Sequence, residues 1–204
     1  MSSVRDLRRI TADRAATRAV RPARPAERCD LCGTAVSPDH RHLLQIEERQ
    51  ILCACESCFA LRSGDAVFKP TGRRVVWLAD FVLPDEIWAA FGIPIGLAFF
   101  FDSSSAGAVT ALYPSPAGAT ESELDLGAWE ELTLLNPILE TLDEDAEALI
   151  VNRMREPHQF AIAPIDRCYG LVGLVKTRWV GISGGTELKD AIQGYFDELR
   201  EEGR

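Results

Sequence analysis

Apolar residues change their spacing several times along this chain, and each spacing predicts a different element. Leu188, Ile192, Tyr195, Phe196 and Leu199 recur every three to four residues, the period of one helix face. Thr186 stands before them as a candidate cap. Residues 96–102 form a continuous apolar run of strand length, which predicts a strand covered on both faces at the centre of a sheet. Residues 107–113 predict its neighbour. The four-residue polar link Ser103-Ser104-Ser105-Ala106 makes the two an antiparallel hairpin. Residues 148–152 and 159–163 read as two more strands, and 74–78, with Val75, Val76 and Trp77, as another. Helices are predicted over 84–90, where Pro84 suits the first turn and Gly92 the stop, over 126–135, and over 166–176. Pro137 restarts a turn. Residues 114–120, rich in Pro, Gly and Ala, read as a loop.

The first third of the chain has a different pattern. Residues 42–47 and 50–53 predict a hairpin turning near Glu48-Arg49. Residues 57–62 predict a short helix that Ser63-Gly64 ends. Residues 3–20 are compatible with a transient helix that Pro22 and Pro25 break. The expected organisation is a flexible Arg-rich tail over 1–26, a four-Cys metal-binding module over 27–64 and an α+β domain over 65–204. The fold class is α+β: a small treble-clef or zinc-ribbon-like four-Cys module, then a mixed, largely antiparallel sheet with helices.

Candidate chemistry centres on that module. Cys29-Asp-Leu-Cys32 and Cys55-Glu-Ser-Cys58 are two Cys-x-x-Cys pairs with 22 residues between them. Each pair can wrap one side of a tetrahedral ion, and thiolates suit a soft or borderline metal. Gly33 after the first pair suits the tight knuckle turn. Cys29, Cys32, Cys55 and Cys58 are therefore the expected ligands of one structural Zn²⁺. Iron in a rubredoxin-like site is the alternative, disfavoured because Phe59 rather than glycine follows the second pair. Cys53 lies two residues from Cys55 and competes with it as a ligand, although a small buried residue is the plainer reading. Cys168 reads as core.

Charge sharpens the picture. Residues 1–28 hold eight Arg against Asp6, Asp13 and Glu27, a net of +5; with a total of −9, the remainder carries −14. So acidic a body repels phosphate, which makes nucleic acid an unlikely partner and favours a basic protein surface. The longest apolar stretch, 15 residues from Ile87 to Phe101, is too short for a membrane span. Six cysteines in 204 residues without a secretory signal point to a reducing cytoplasm.

Other motifs carry weaker signals. Asp39-His40 between cysteine pairs resembles the arrangement in HNH endonucleases, but the histidine expected near the last helix is missing. His40 and His42 are then expected to be an exposed loop residue and a strand-end residue. Ser183-Gly184-Gly185 reads as a helix-entry turn rather than an anion cradle, because it lacks the P-loop lysine. Ser115, Thr120 and Glu121 in the 113–122 segment are candidates to line a ligand-binding loop, and an enzyme using that loop is an alternative function.

Arg28-Cys-Asp-Leu-Cys-Gly33, Asp39-His-Arg-His-Leu-Leu44 and Cys53-Ala-Cys-Glu-Ser-Cys58 resemble an uncharacterised bacterial domain-of-unknown-function family. So do Gly96-Leu-Ala-Phe-Phe-Phe101, Leu112-Tyr-Pro-Ser-Pro-Ala-Gly-Ala-Thr-Glu-Ser122 and Ser183-Gly-Gly185. The resemblance covers nearly everything after residue 27. It implies a gene setting among nickel–iron hydrogenase structural and maturation genes, and it supplies no catalytic residues. The function expected is a zinc-stabilised accessory protein that binds a hydrogenase subunit or maturation factor.

Overall fold

The computed structural model describes residues 27–180 and 185–204. The expected tail over 1–26 and the residues Ser183 and Gly184 lie outside the described residues. Two antiparallel sheets organise what is described. The smaller has the order β2-β1-β3, with β1 Arg41–Gln45, β2 Gln50–Ala54 and β3 Phe68–Pro70. The hairpin predicted about Glu48-Arg49 is present, with Gln45 opposite Gln50 and Arg41 opposite Ala54. The helix after it, α1, spans Glu56–Arg62. Strand β3 is an addition: three residues ending in Pro70 carry no periodic signal of their own, and they form a strand by pairing with Leu43, Leu44 and Gln45.

The larger sheet has six strands in the order β4-β9-β8-β5-β6-β7. They are β4 Val76–Trp77, β5 Leu97–Ser103, β6 Ala108–Ser115, β7 Gly118–Ser122, β8 Glu147–Asn152 and β9 Gln159–Pro164. The apolar run at 97–101 lies, as its composition requires, between two neighbours, β8 and β6. Side chains alternate across a strand, so β5 feeds two cores. Leu97, Phe99 and Phe101 enter one, against α4 (Ile165–Arg178) and α5 (Gly185–Glu202). Ala98 and Phe100 enter the other, with Ile87 of α2 (Asp85–Ala90) and Trp129 and Leu132 of α3 (Leu126–Leu135). The result is helix–sheet–helix layering, with five α-helices among the described residues.

Two expectations need correction. The segment read as a loop over 114–120 is the end of one strand and the start of another: β6 continues to Ser115 and β7 returns with Tyr113 opposite Thr120. Pro114 is tolerated there because β5 pairs with β6 only as far as Leu112, so the missing N–H removes no bond on that side. Helix α5 begins at Gly185, so Thr186 lies inside its first turn rather than before it.

The small sheet does not stand apart from the large one. Leu44, 1% exposed, belongs to the core formed with α4 and α5, and Ile51 packs against it. His42 Nδ1 lies 2.8 Å from Asp166 Oδ2 on α4, Arg49 Nη1 donates to Glu121 Oε2 on β7 at 2.7 Å, and Lys69 Nζ donates to Asp143 Oδ1 at 3.0 Å. At the far edge, Trp77 N of β4 donates to Gly203 O at 3.2 Å.

Candidate metal centre

A tight turn builds the first half of the centre. Gly33 N donates to Cys29 O and Cys29 N to Thr34 O, each at 2.8 Å. Gly33 sits at φ +76°, where a side chain would be strained. The knuckle is tied to the end of β2 twice: Asp30 N donates to Cys53 O at 2.8 Å, and Cys53 N donates to Asp30 Oδ2 at 2.6 Å. The second half comes from α1. Cys55 is its N-cap residue and Cys58 lies in its first turn, with Phe59 N donating to Cys55 O.

These elements bring Cys29, Cys32, Cys55 and Cys58 together, one sulfur from each lying within 4.8 Å of the others. Cys32 Sγ and Cys55 Sγ are 3.7 Å apart. The edge of a tetrahedron with metal–sulfur bonds of about 2.3 Å is about 3.8 Å, so the spacing suits a tetrahedral ion. Knuckle, hairpin and helix follow one another in the order expected of a treble clef. The fourth sulfur comes from Cys55, and Cys53 faces elsewhere.

The thiols are electrostatically unequal. Hydrogen bonds from Thr34, side chain and then backbone, bring Cys32 down to about 6. Burial pushes Cys29 up, but backbone hydrogen bonds from Cys55, Leu31 and Cys32 outweigh it and the net direction is down. Contacts with the Cys32 and Cys55 sulfurs drive Cys58 up to about 12. Sulfurs this close cannot all carry bare negative charge, and a bound cation removes that conflict because it takes the place of the protons. The residues thus fit a four-thiolate metal site.

The remaining candidates fall in three places. Ser115 and Thr120 are in contact at the tip of the β6–β7 hairpin. Thr120 Oγ1 donates to Ser115 Oγ at 3.1 Å, and Ser115 Oγ donates to Gly118 O at 3.0 Å. Glu121 points to Arg49 and lines a cavity of about 410 Å³ with Val109, Thr110 and Leu124; Ser115 and Thr120 lie outside that lining. Cys168 is buried in α4, as expected. His40 and His42 correct the sequence reading most. The His40 imidazole is only 6% exposed, and the two ring centroids are 4.5 Å apart.

Together with Cys53, these histidines form a second group whose ligand atoms lie within 4.8 Å of one another. Burial, then the nearby charges of Asp30 and Glu27, push the Cys53 thiol up to about 11. The signal for this group was present in the hairpin register, which sets His42 opposite Cys53. Asp166, 124 positions beyond His42 in the chain, has no such local signal.

No helix among the described residues is long and apolar enough to cross a membrane. No curated protein and no solved structure matches the chain. Residues 28–203 match the Family of unknown function (DUF5947), and the chain belongs to that family.

Proposed function

We propose that this chain is an accessory protein that works by binding another protein, with one structural Zn²⁺ held by Cys29, Cys32, Cys55 and Cys58. The observation that carries this reading is the closed sulfur cluster. Four protein ligands fill a tetrahedral ion and leave no position for a substrate, so the ion's role is to hold the fold. Zinc is favoured over iron because Phe59 stands where a rubredoxin-like site has glycine. The −14 carried by residues 29–204 suits a partner with a basic face and speeds encounter with it. Apolar surface is also on offer: Val82 and Ile138 are exposed near a cavity of about 380 Å³ lined by residues 76–81 and 135–138. Apolar surface of this kind suits a protein partner.

The gene setting implied by the family resemblance makes that partner a nickel–iron hydrogenase subunit or maturation factor, in the cytoplasm. The test is affinity purification of the full chain from its native host, with mass spectrometry and metal analysis of the same sample. It should recover such a partner together with zinc. Deletion should lower hydrogenase activity while leaving its transcripts unchanged. Full occupancy by iron, with a visible thiolate-to-iron charge-transfer band, overturns the zinc assignment. Unchanged hydrogenase activity in the deletion strain overturns the assembly role.

A further inference from the structure

His40, His42 and Cys53 have the features of a second metal site, separate from the four cysteines. The hairpin creates the meeting: His42 and Cys53 face each other across β1 and β2, and His40 immediately precedes β1. The orientation of both rings follows from their partners. His40 Nδ1 lies 2.8 Å from Ser37 O. A carbonyl oxygen only accepts, so Nδ1 carries a proton, and in the neutral ring Nε2 is then the lone-pair nitrogen. That Nε2 is buried and has no hydrogen-bond partner. His42 repeats the arrangement, with its Nδ1 2.8 Å from Asp166 Oδ2, so in the neutral ring Nε2 is the nitrogen left for an ion. Metal-binding imidazoles are held in this way, the second ring nitrogen donating to a carboxylate or a carbonyl. The surroundings are also negative: Asp30 Oδ2 accepts from Cys53 N at 2.6 Å, and Glu27 Oε2 lies 3.6 Å from His40 Nδ1.

We propose that His40 Nε2, His42 Nε2 and Cys53 Sγ bind a second divalent transition-metal ion, with Asp166 orienting His42 and the Ser37 carbonyl orienting His40. Two imidazoles and a thiolate select borderline ions such as Zn²⁺ and Co²⁺ over Mg²⁺ or Ca²⁺. Three protein ligands leave a coordination position open. A cavity of about 230 Å³ beside the site is lined by Val36, Ser37, His40, Cys55 and Glu56 among others. Cys55 borders that cavity and belongs to the first cluster, so the two sites are neighbours at the end of β2: one closed by four sulfurs, one open.

The test uses the full chain, stripped of metal under reducing conditions and titrated with Zn²⁺ or Co²⁺ by equilibrium dialysis. Wild type should take up two equivalents. His40→Ala, His42→Ala and Cys53→Ser should each take up one, with the sulfur-rich Co²⁺ spectrum of the first site retained. Asp166→Asn keeps all three ligands, so it tests the site without removing a donor. It should bind the second equivalent about 10–100-fold more weakly and the first unchanged. Uptake of a single equivalent by wild type that the three ligand variants retain and Cys32→Ser loses overturns the proposal, and so does uptake of two equivalents by all three ligand variants. The four-cysteine reading fails differently: Cys32→Ser would then retain the full wild-type complement.

Discussion

Helix α1 buries none of its residues, whereas α4 buries Ile165, Cys168, Leu171, Val172 and Val175. The same contrast runs through the two sheets. Every residue of β8 and β9 is buried, and β5 alone places Phe99, Phe100 and Phe101 in cores on opposite faces. The small sheet buries Leu43, Leu44 and Leu52 but carries exposed or half-buried residues at most other positions. Apolar burial at about 25 cal/mol per Å² can hold the large sheet. It contributes little to a seven-residue helix with no buried side chain, where an ion held by the four sulfurs would supply the constraint. One chain thus combines a region packed by apolar burial with a region whose four cysteines could hold a metal ion.

The largest expected effect breaks the second region alone. Chelation, or Cys58→Ser, should remove the four-sulfur ion, whose apparent binding energy in small modules is about 10–16 kcal/mol. Hydrogen exchange should then show loss of protection over residues 28–35 and 53–62. The amides of β8 and β9 should stay protected and most of the circular dichroism should survive. A single cooperative loss of all protection would show that the two regions are one unit.

Matched ring deletions sharpen the contrast from the other side. The Phe100 ring is fully buried, 5.0 Å from Phe91 and 5.5 Å from Trp129 between centroids. Phe100→Ala should cost about 3–5 kcal/mol in urea denaturation. The half-buried Phe59 ring instead lies under the Arg41 guanidinium, 3.9 Å from its centroid. Phe59→Ala should cost about 1 kcal/mol or less. Equal losses would contradict the division drawn here.

The smallest effect concerns charge on the central strand. Burial, and then the charge of Asp145, push the Asp102 carboxyl above its ordinary range. A folded pKa raised above the unfolded value of about 3.9 means that the ionised form weakens the native state. That penalty is full above the folded pKa and absent below the unfolded one. Asp102→Asn should therefore raise the melting temperature at neutral pH, and the gain should vanish on acidification below about pH 4. A gain that does not change with pH would point to packing instead.

Elements whose own composition decided them were legible in the sequence: the apolar run of β5, the periodic face of α5, and the paired cysteines. Elements that exist only through pairing were not. Strand β3 is three residues long, and Gly118–Ser122 becomes a strand because β6 lies beside it, despite Pro and Gly nearby that suggest a loop. The same reason hid the environment of the histidines. Nothing local distinguishes an exposed His40 from a buried one, because Ser37, Glu27 and the hairpin enclose it together. Asp166 reaches His42 only once α4 has packed on the sheet.

The two ends of the six-stranded sheet are guarded unequally. Strand β4 is two residues long, and the C-terminal chain at Gly203 takes one of its N–H groups. Strand β7, five residues long, is the opposite edge strand among the described residues, and its Glu121 pairs with Arg49 from the turn of the small hairpin. An open edge is a template on which a further strand can add. The turn of the small hairpin therefore sets a charged pair on that edge, and charged side chains are one of the devices that blunt a sheet edge.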